Sequence, residues 1–222
     1  MQYLYHPQAG DEMLILCGDE HRYIFKVRRH RQGEVIALRN LDDQNLYLYE
    51  ITSINKKEAC LQLQSSEEKA IQATKQLHLG WCLIEPKNIE KILPSLNEIG
   101  VAKITFILCN RSQKSFKLDF KRLEKILLNS SQQSGRSVMM KLDKSPSLAQ
   151  FIKEYPKSYM LNFSEQNLAE SLDIETIVVG CEGGFAKDEE ALFSSDKIVG
   201  FATPLILKSE SAICAVASKV LL

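Results

Sequence analysis

Three short segments combine residue types that hold and act on small ligands. GCEGGF (180–185) directly follows the apolar run TIVVG (176–180) and precedes DEEALF. Glycines placed after a buried strand let backbone amides approach a ligand, at the carboxyl edge where α/β sheets bind. The same glycines also suit a plain tight turn. The segment matches neither GxGxxG nor GxxxxGK, which argues against a nicotinamide enzyme and a phosphate loop. ATPLILKSESA (202–212) runs into an amphipathic C-terminal stretch. There Lys208, Ser209 and Glu210 offer a cation, helix N-terminal donors and an acid, a set that simple capping also explains. NRS (110–112) ends the run KITFILCN (103–110) and sets Arg111 at another strand's carboxyl edge.

These segments need a frame. Residues 76–84 (QLHLGWCLI) and 103–110 are apolar runs fit for buried parallel strands. Between them Ile89, Ile92, Leu93, Leu96 and Ile99 recur at helical spacing, with Gly100 placed to end the helix and Pro94 expected to kink or restart it. A second helix presents Phe120, Leu123, Ile126 and Leu127. SYMLNF (158–163), TIVVG and KIVGFA (197–202) read as further strands, and a terminal helix spans about Ser209 to Leu221. Alternating strands and helices mean an α/β domain with a mostly parallel sheet. The first third differs: EVIAL (34–38), LYLYEITSI (46–54) and ACLQLQ (59–64), separated by polar turns, predict a small β-barrel or sandwich. The junction falls in the polar stretch 66–74, dividing the chain into residues 1–68 and 69–222.

Composition narrows the classes. In 222 residues, 45% hydrophobic and 25% charged, disorder and collagen-like architectures are excluded. Lys+Arg and Asp+Glu both number 28, so no global field recruits polyanions. The charges segregate locally, however. HRYIFKVRRHRQ (21–32) holds five Lys/Arg and no acid, and residues 103–141 hold nine against two acids. Two basic stretches in different domains together suit a phosphate-tracking groove, although each also suits a solvated face. No apolar run reaches the roughly 18 residues of a membrane span, and MQYLYHPQAGDE has no signal-peptide pattern, so a cytoplasmic protein is expected. The six cysteines form no CxxC or Cys/His cluster, which predicts no metal site and thiols that pack as small core residues.

EIGV (98–101), RS (111–112), QQSGR (132–136), GCEGGF and ILKSESA (206–212), in this order and spacing, resemble the motif set of the RsmE-type 16S ribosomal RNA (uracil-N3) methyltransferases of the SPOUT class. HRYIFKVRRHRQGE also looks like that family's N-terminal segment, placing His21, Arg29 and Gly33 on its common positions. The resemblance spans essentially the whole chain. It implies a PUA-like β-barrel over residues 1–68 that helps hold RNA through His21, Arg28, Arg29 and Arg31. It further implies a SPOUT α/β domain over 69–222, with its C-terminal chain threaded into a trefoil knot. S-Adenosylmethionine would sit against Leu161, Asn162, Gly180, Glu182, Gly183, Gly184, Ile206 and Leu207. Lys208, Glu210, Arg111 and Arg136 would serve catalysis, in a homodimer acting on 16S rRNA or the assembled small subunit.

Methylating uracil N3 requires loss of a weakly acidic imide proton and in-line attack on an electrophilic methyl. Positioning dominates, with cations or N–H donors meeting the charge that develops on the ring. The base must be single-stranded or flipped. Cys181 stands where the family usually has Pro, Lys208 and Leu205 where it has Arg, Thr203 where Gly is frequent, Ser209 and Ser211 where it has Thr, and Ser95 where Lys is common. Arg to Lys keeps charge but loses the bidentate fork. The surviving glycines and Glu210 favour an active enzyme over the alternative, a non-catalytic RNA-binding dimer with a decayed site.

Overall fold

The computed structural model describes residues 2–168 and 173–222. Two compact units emerge, one formed by residues up to 72 with 128–139, the other by 73–127 with 140–222. In the first, β1 (Leu4–Tyr5), β2 (Met13–Cys17), β3 (Val35–Arg39), β4 (Asn45–Ile54) and β5 (Glu58–Glu68) form one sheet in the order β1-β3-β4-β5-β2. Only the β1–β3 pair is parallel. Register breaks in β4 at Leu48/Tyr49 and Ile51/Ser53 accompany the curl of this half-barrel sheet, as bulges add local twist. Leu14, Leu16, Ile36, Leu38, Tyr49, Ile51 and Leu61 face its core. Along β2 the alternation leaves Met13, Ile15 and Cys17 exposed, so Cys17 is a surface thiol and not the core residue expected.

The basic stretch after β2 is helical. Gly18–His21 is a helical turn, α1, which continues as a π-helix over Arg22–Val27. The Arg28 N–H bonds the Tyr23 carbonyl five residues back at 2.9 Å. Ile24 alone in the π-helix is fully buried, which places one apolar anchor in the core and sends the cations outward.

The second unit is built on β6 (His78–Cys82), β7 (Lys103–Ile107), β8 (Lys141–Ser145), β9 (Tyr159–Leu161), β10 (Thr176–Val179) and β11 (Ile198–Val199). They form one sheet in the order β11-β9-β10-β6-β7-β8, and all pairs are parallel. Its helices are α2 (Pro86–Ile99), α3 (Phe120–Ser134, which runs on into the first unit's 128–139), α4 (Leu148–Glu154), α5 (Lys187–Glu190) and α6 (Ser209–Leu221). β8 is absent from the sequence reading because KLDKS is an edge strand, mostly exposed and without an apolar run. α2 runs on through Pro94 without restarting and ends at Gly100 (φ 112°), whose N–H bonds the Leu96 carbonyl. Trp81, Ile84, Leu93, Ile104, Phe151, Met160, Val178 and Ile213 are among its buried core.

Cys82 and Cys109 are joined in a disulfide, where reduced core thiols were expected. They stand at the carboxyl ends of adjacent strands, with Cα atoms 5.7 Å apart. Both are buried, as an apolar run predicts.

At the opposite, amino edge, His78 packs against the rings of Phe151 and Tyr155, and its Nε2 lies 2.8 Å from Thr105 Oγ1. Burial pushes its imidazole down to about 4; Lys103 acts in the same direction and Asp143 against it. The native state therefore holds His78 neutral where the unfolded chain protonates it. That stability is complete above pH 6.5 and is lost as pH falls from 6.5 towards 4. Unfolding free energy measured by urea titration should fall by about 3 kcal/mol across this window, and His78→Gln should flatten that part of the slope.

Candidate active site

The order of the parallel sheet sets where a ligand binds. From β6 the chain steps outward to β7 and β8, then crosses to the other side of β6 for β9, β10 and β11. β6 and β10 are neighbours reached from opposite directions, a topological switch point whose carboxyl end opens a crevice. GCEGGF leaves β10 there. MLNFSE leaves β9, NRS follows β7, and the 200–208 segment leaves β11, all at the same carboxyl edge.

A single hydroxyl ties this edge together. Trp81, the chain's one tryptophan, is fully buried on β6 and donates its indole N–H to Ser209 Oγ at 2.9 Å. Ser209 Oγ in turn donates to the Gly180 carbonyl at 2.5 Å. The start of α6 is thus fixed to the residue that follows β10, and Lys208 and Glu210 are carried with it. Lys208 is exposed at the helix N-cap position.

Arg111 holds the glycine loop from the other side. Its Nη1 donates to the Gly183 carbonyl at 2.6 Å. A Cβ on Gly183 would lie 3.3 Å from the Arg111 Cβ, so a side chain at this position would press on the arginine stem. The Gly184 N–H closes the turn on the Cys181 carbonyl at 2.9 Å. Cys181 is buried, while Glu182 is exposed.

Three consecutive acids in α5, which sequence reasoning passed over, clamp the neighbouring loops. Asp188 accepts from Asn110 Nδ2 at 2.8 Å. Buried Glu189 accepts the Asn110 N–H at 2.8 Å and the Ala186 N–H at 3.0 Å. Glu190 accepts from Asn162 Nδ2 at 3.1 Å. The available signal was the acid at the third helical position after a glycine turn, half of a capping box. Gly200 was also missed. A Cβ there would lie 2.7 Å from the Ser164 carbonyl oxygen and 3.0 Å from that of Asn162, so two backbone segments cross where only glycine fits.

Of the residues singled out from sequence, Leu161, Asn162, Gly180, Glu182, Gly183, Gly184, Ile206, Leu207, Arg111, Lys208 and Glu210 all lie on these carboxyl-edge segments. Ile206 and Leu205 are strongly exposed for apolar side chains, as is Phe163 after β9. Arg136 is not among them. It lies in the first unit, buried, with Nε donating to the Val138 carbonyl at 3.2 Å and its own carbonyl accepting from Tyr3 at 2.8 Å. Burial lowers its pKa, partly opposed by Tyr3, as for a framework guanidinium.

The N-terminal candidates divide similarly. His21 is buried, its Nε2 3.1 Å from the Asn55 carbonyl and its ring 4.9 Å from that of Phe25, so it supports the π-helix instead of presenting to a ligand. Arg28, Arg29 and Arg31 are exposed. Arg28 bonds the Tyr23 hydroxyl through Nε and Nη2 at 3.0 and 2.8 Å and lies over its ring. Arg29 adopts a left-handed φ of 63°, uncommon for a residue with a side chain.

Among the described residues no cluster of three or more His, Cys, Asp or Glu is placed to hold a metal ion, and no helix is long and apolar enough to cross a membrane.

The half-barrel sheet, the parallel sheet and its carboxyl-edge loops define an RNA methyltransferase domain joined to a PUA domain. Residues 71–221 match the family model of the RNA methyltransferase domain, and residues 16–64 that of the RNA methyltransferase PUA domain. The chain is 39% identical to the ribosomal RNA small subunit methyltransferase E of Helicobacter pylori strain 26695, over 98% of both chains. It belongs to this family. Among solved structures, the ribosomal RNA small subunit methyltransferase E of Neisseria gonorrhoeae bound to S-adenosyl methionine superimposes with a TM-score of 0.82 at 18% identity, covering 98% of this chain and 95% of that one. A Legionella pneumophila methyltransferase in complex with the same compound gives 0.80 at 24% identity, with the same coverage.

Ser209→Ala removes the shared hydroxyl and deprives both the Trp81 indole and the Gly180 carbonyl of their bond to it. Unfolding followed by Trp81 fluorescence should show a loss of about 1–3 kcal/mol, and Ser209→Thr should restore most of it.

Proposed function

We propose that this protein transfers the methyl group of S-adenosylmethionine to N3 of a uridine in 16S ribosomal RNA, as a homodimer acting on the RNA or the assembled small subunit. Membership of the family supports ribosomal RNA methylation, and the resemblance supports the uridine N3 target and the dimer. The observation that carries the site is the convergence of the glycine loop, Arg111 and the start of α6 at the switch point.

The residues present fit the methyl donor. A Cβ on Gly184 would find no atom nearer than Arg111 Nη1 at 4.0 Å, so the loop keeps open space beside its backbone amides. Exposed Phe163, Leu205 and Ile206 offer apolar surface suited to an adenine ring. Leu161, Asn162, Gly180, Glu182, Gly183, Gly184, Ile206 and Leu207 would hold the donor, which supplies an electrophilic methyl on a sulfonium. Lys208 and the Arg111 fork, with N–H donors beyond the one on Gly183, would meet negative charge on the uracil ring. Exposed Arg28, Arg29 and Arg31 would contribute affinity through phosphates.

Nucleoside mass mapping of small-subunit RNA from cells with and without the gene tests the reaction. A 3-methyluridine lost with the gene supports the proposal; an unchanged methylation map removes it. Gly183→Val should displace the Arg111 stem and abolish S-adenosylmethionine uptake in calorimetry while the protein stays folded. Unchanged affinity would remove the loop from the site. Lys208→Ala should lower single-turnover methyl transfer by about 10²–10³ and keep donor affinity, whereas Lys208→Arg should keep or raise the rate.

A further inference from the structure

The first turn of α6 carries two neighbouring side chains with opposite fates. Ser209 is fully engaged between Trp81 and Gly180. Glu210 has one carboxylate oxygen, Oε2, that is buried and meets no hydrogen-bond partner among the described residues. The resemblance places this acid among the catalytic residues, and the tie between α6 and the glycine loop is made by Ser209.

A buried carboxylate oxygen without a donor has lost its water and gained nothing in exchange. Native structures keep such atoms where a donor arrives from elsewhere or where chemistry uses them. The helix itself does not supply one: the Ala212 N–H is spent on the Lys208 carbonyl at 2.8 Å. The nearby cations lie elsewhere, Arg111 on the Gly183 carbonyl and Lys208 in solvent. The group is thus an acceptor in want of one proton-bearing partner, carried by the element that Ser209 fixes to the glycine loop.

We propose that Glu210 Oε2 accepts the N3–H of the target uracil and takes its proton as the methyl group is transferred. In that step the N3–H bond breaks and the proton passes to Oε2. The N3 electron pair forms the new bond to the methyl carbon. The carbon–sulfur bond breaks with its electron pair retained by sulfur, so sulfonium and carboxylate are both neutralised. The inference rests on the N3 reading above and assigns the base that this reading leaves open.

The test uses small subunits reconstituted from transcripts made with uridine or with 5-fluorouridine, whose N3–H is more acidic. Nucleoside mapping of the wild-type product comes first: a methyl group at another atom overturns the N3 reading, and this inference with it. With N3 established, Glu210→Gln should slow single-turnover transfer on uridine by about 10²–10⁴, the usual range for a positioned base. On 5-fluorouridine the deficit should shrink at least tenfold, because a more acidic imide depends less on its base. Glu210→Asp should recover part of the rate. A binding measurement needs no turnover: the wild type should prefer unmethylated over methylated subunits by about tenfold, and Glu210→Ala should erase that preference. Equal deficits on both nucleobases, or an undiminished preference in Glu210→Ala, would overturn the assignment while leaving the N3 reading intact.

Discussion

The Ser209 hydroxyl, held between the Trp81 indole and the Gly180 carbonyl, is the contact on which the rest of the site depends. It joins three elements far apart in sequence: a central strand, the glycine loop and the terminal helix. The indole and the hydroxyl are both buried, and a hydrogen bond is stronger there than in water. Lys208 and Glu210 inherit their positions from that bond. A site built on strand ends and a helix start is more rigid than one hung on loops alone.

Around it the loops are restrained by charge as well as by apolar packing. Three adjacent acids in α5 take up donors from Asn110, Ala186 and Asn162, and Arg111 reaches across to the Gly183 carbonyl. Carboxylate to N–H bonds are stronger than neutral ones, which suits loops that bury little surface. At Gly200 the chain crosses itself so closely that any side chain would strike backbone. These restraints leave the exposed apolar residues 205–206 and Phe163 as the part of the edge with surface to offer.

The N-terminal unit uses its cations differently along one short stretch. A single buried isoleucine anchors a π-helix whose wider turn directs Arg28 and Arg29 outward, and buried His21 secures its base. Arg28 is steadied by the Tyr23 ring and hydroxyl, which restricts the rotamers its guanidinium can take.

Much of this was legible in the chain. Apolar runs such as TIVVG and KITFILC demand burial on both faces, so a parallel sheet followed from periodicity alone, and the glycines after TIVVG placed a loop at its carboxyl edge. The terminal helix was read from Ser209 to Leu221 because its apolar spacing is local. The fold of the basic stretch was not legible, because the π-helix depends on one residue, Ile24, finding a core formed by distant strands. Edge strand β8 was missed for the converse reason: its neighbour supplies the pairing and its own side chains stay polar. Tertiary structure alone decided that buried Arg136 takes the Tyr3 hydroxyl on its carbonyl, that Cys82 meets Cys109, that the α5 acids clamp loops and that Glu210 Oε2 finds no partner among the described residues. Each is a contact between residues far apart in the chain, or the want of one, and sequence spacing encodes local periodicity, not which distant groups a folded chain brings within 3 Å.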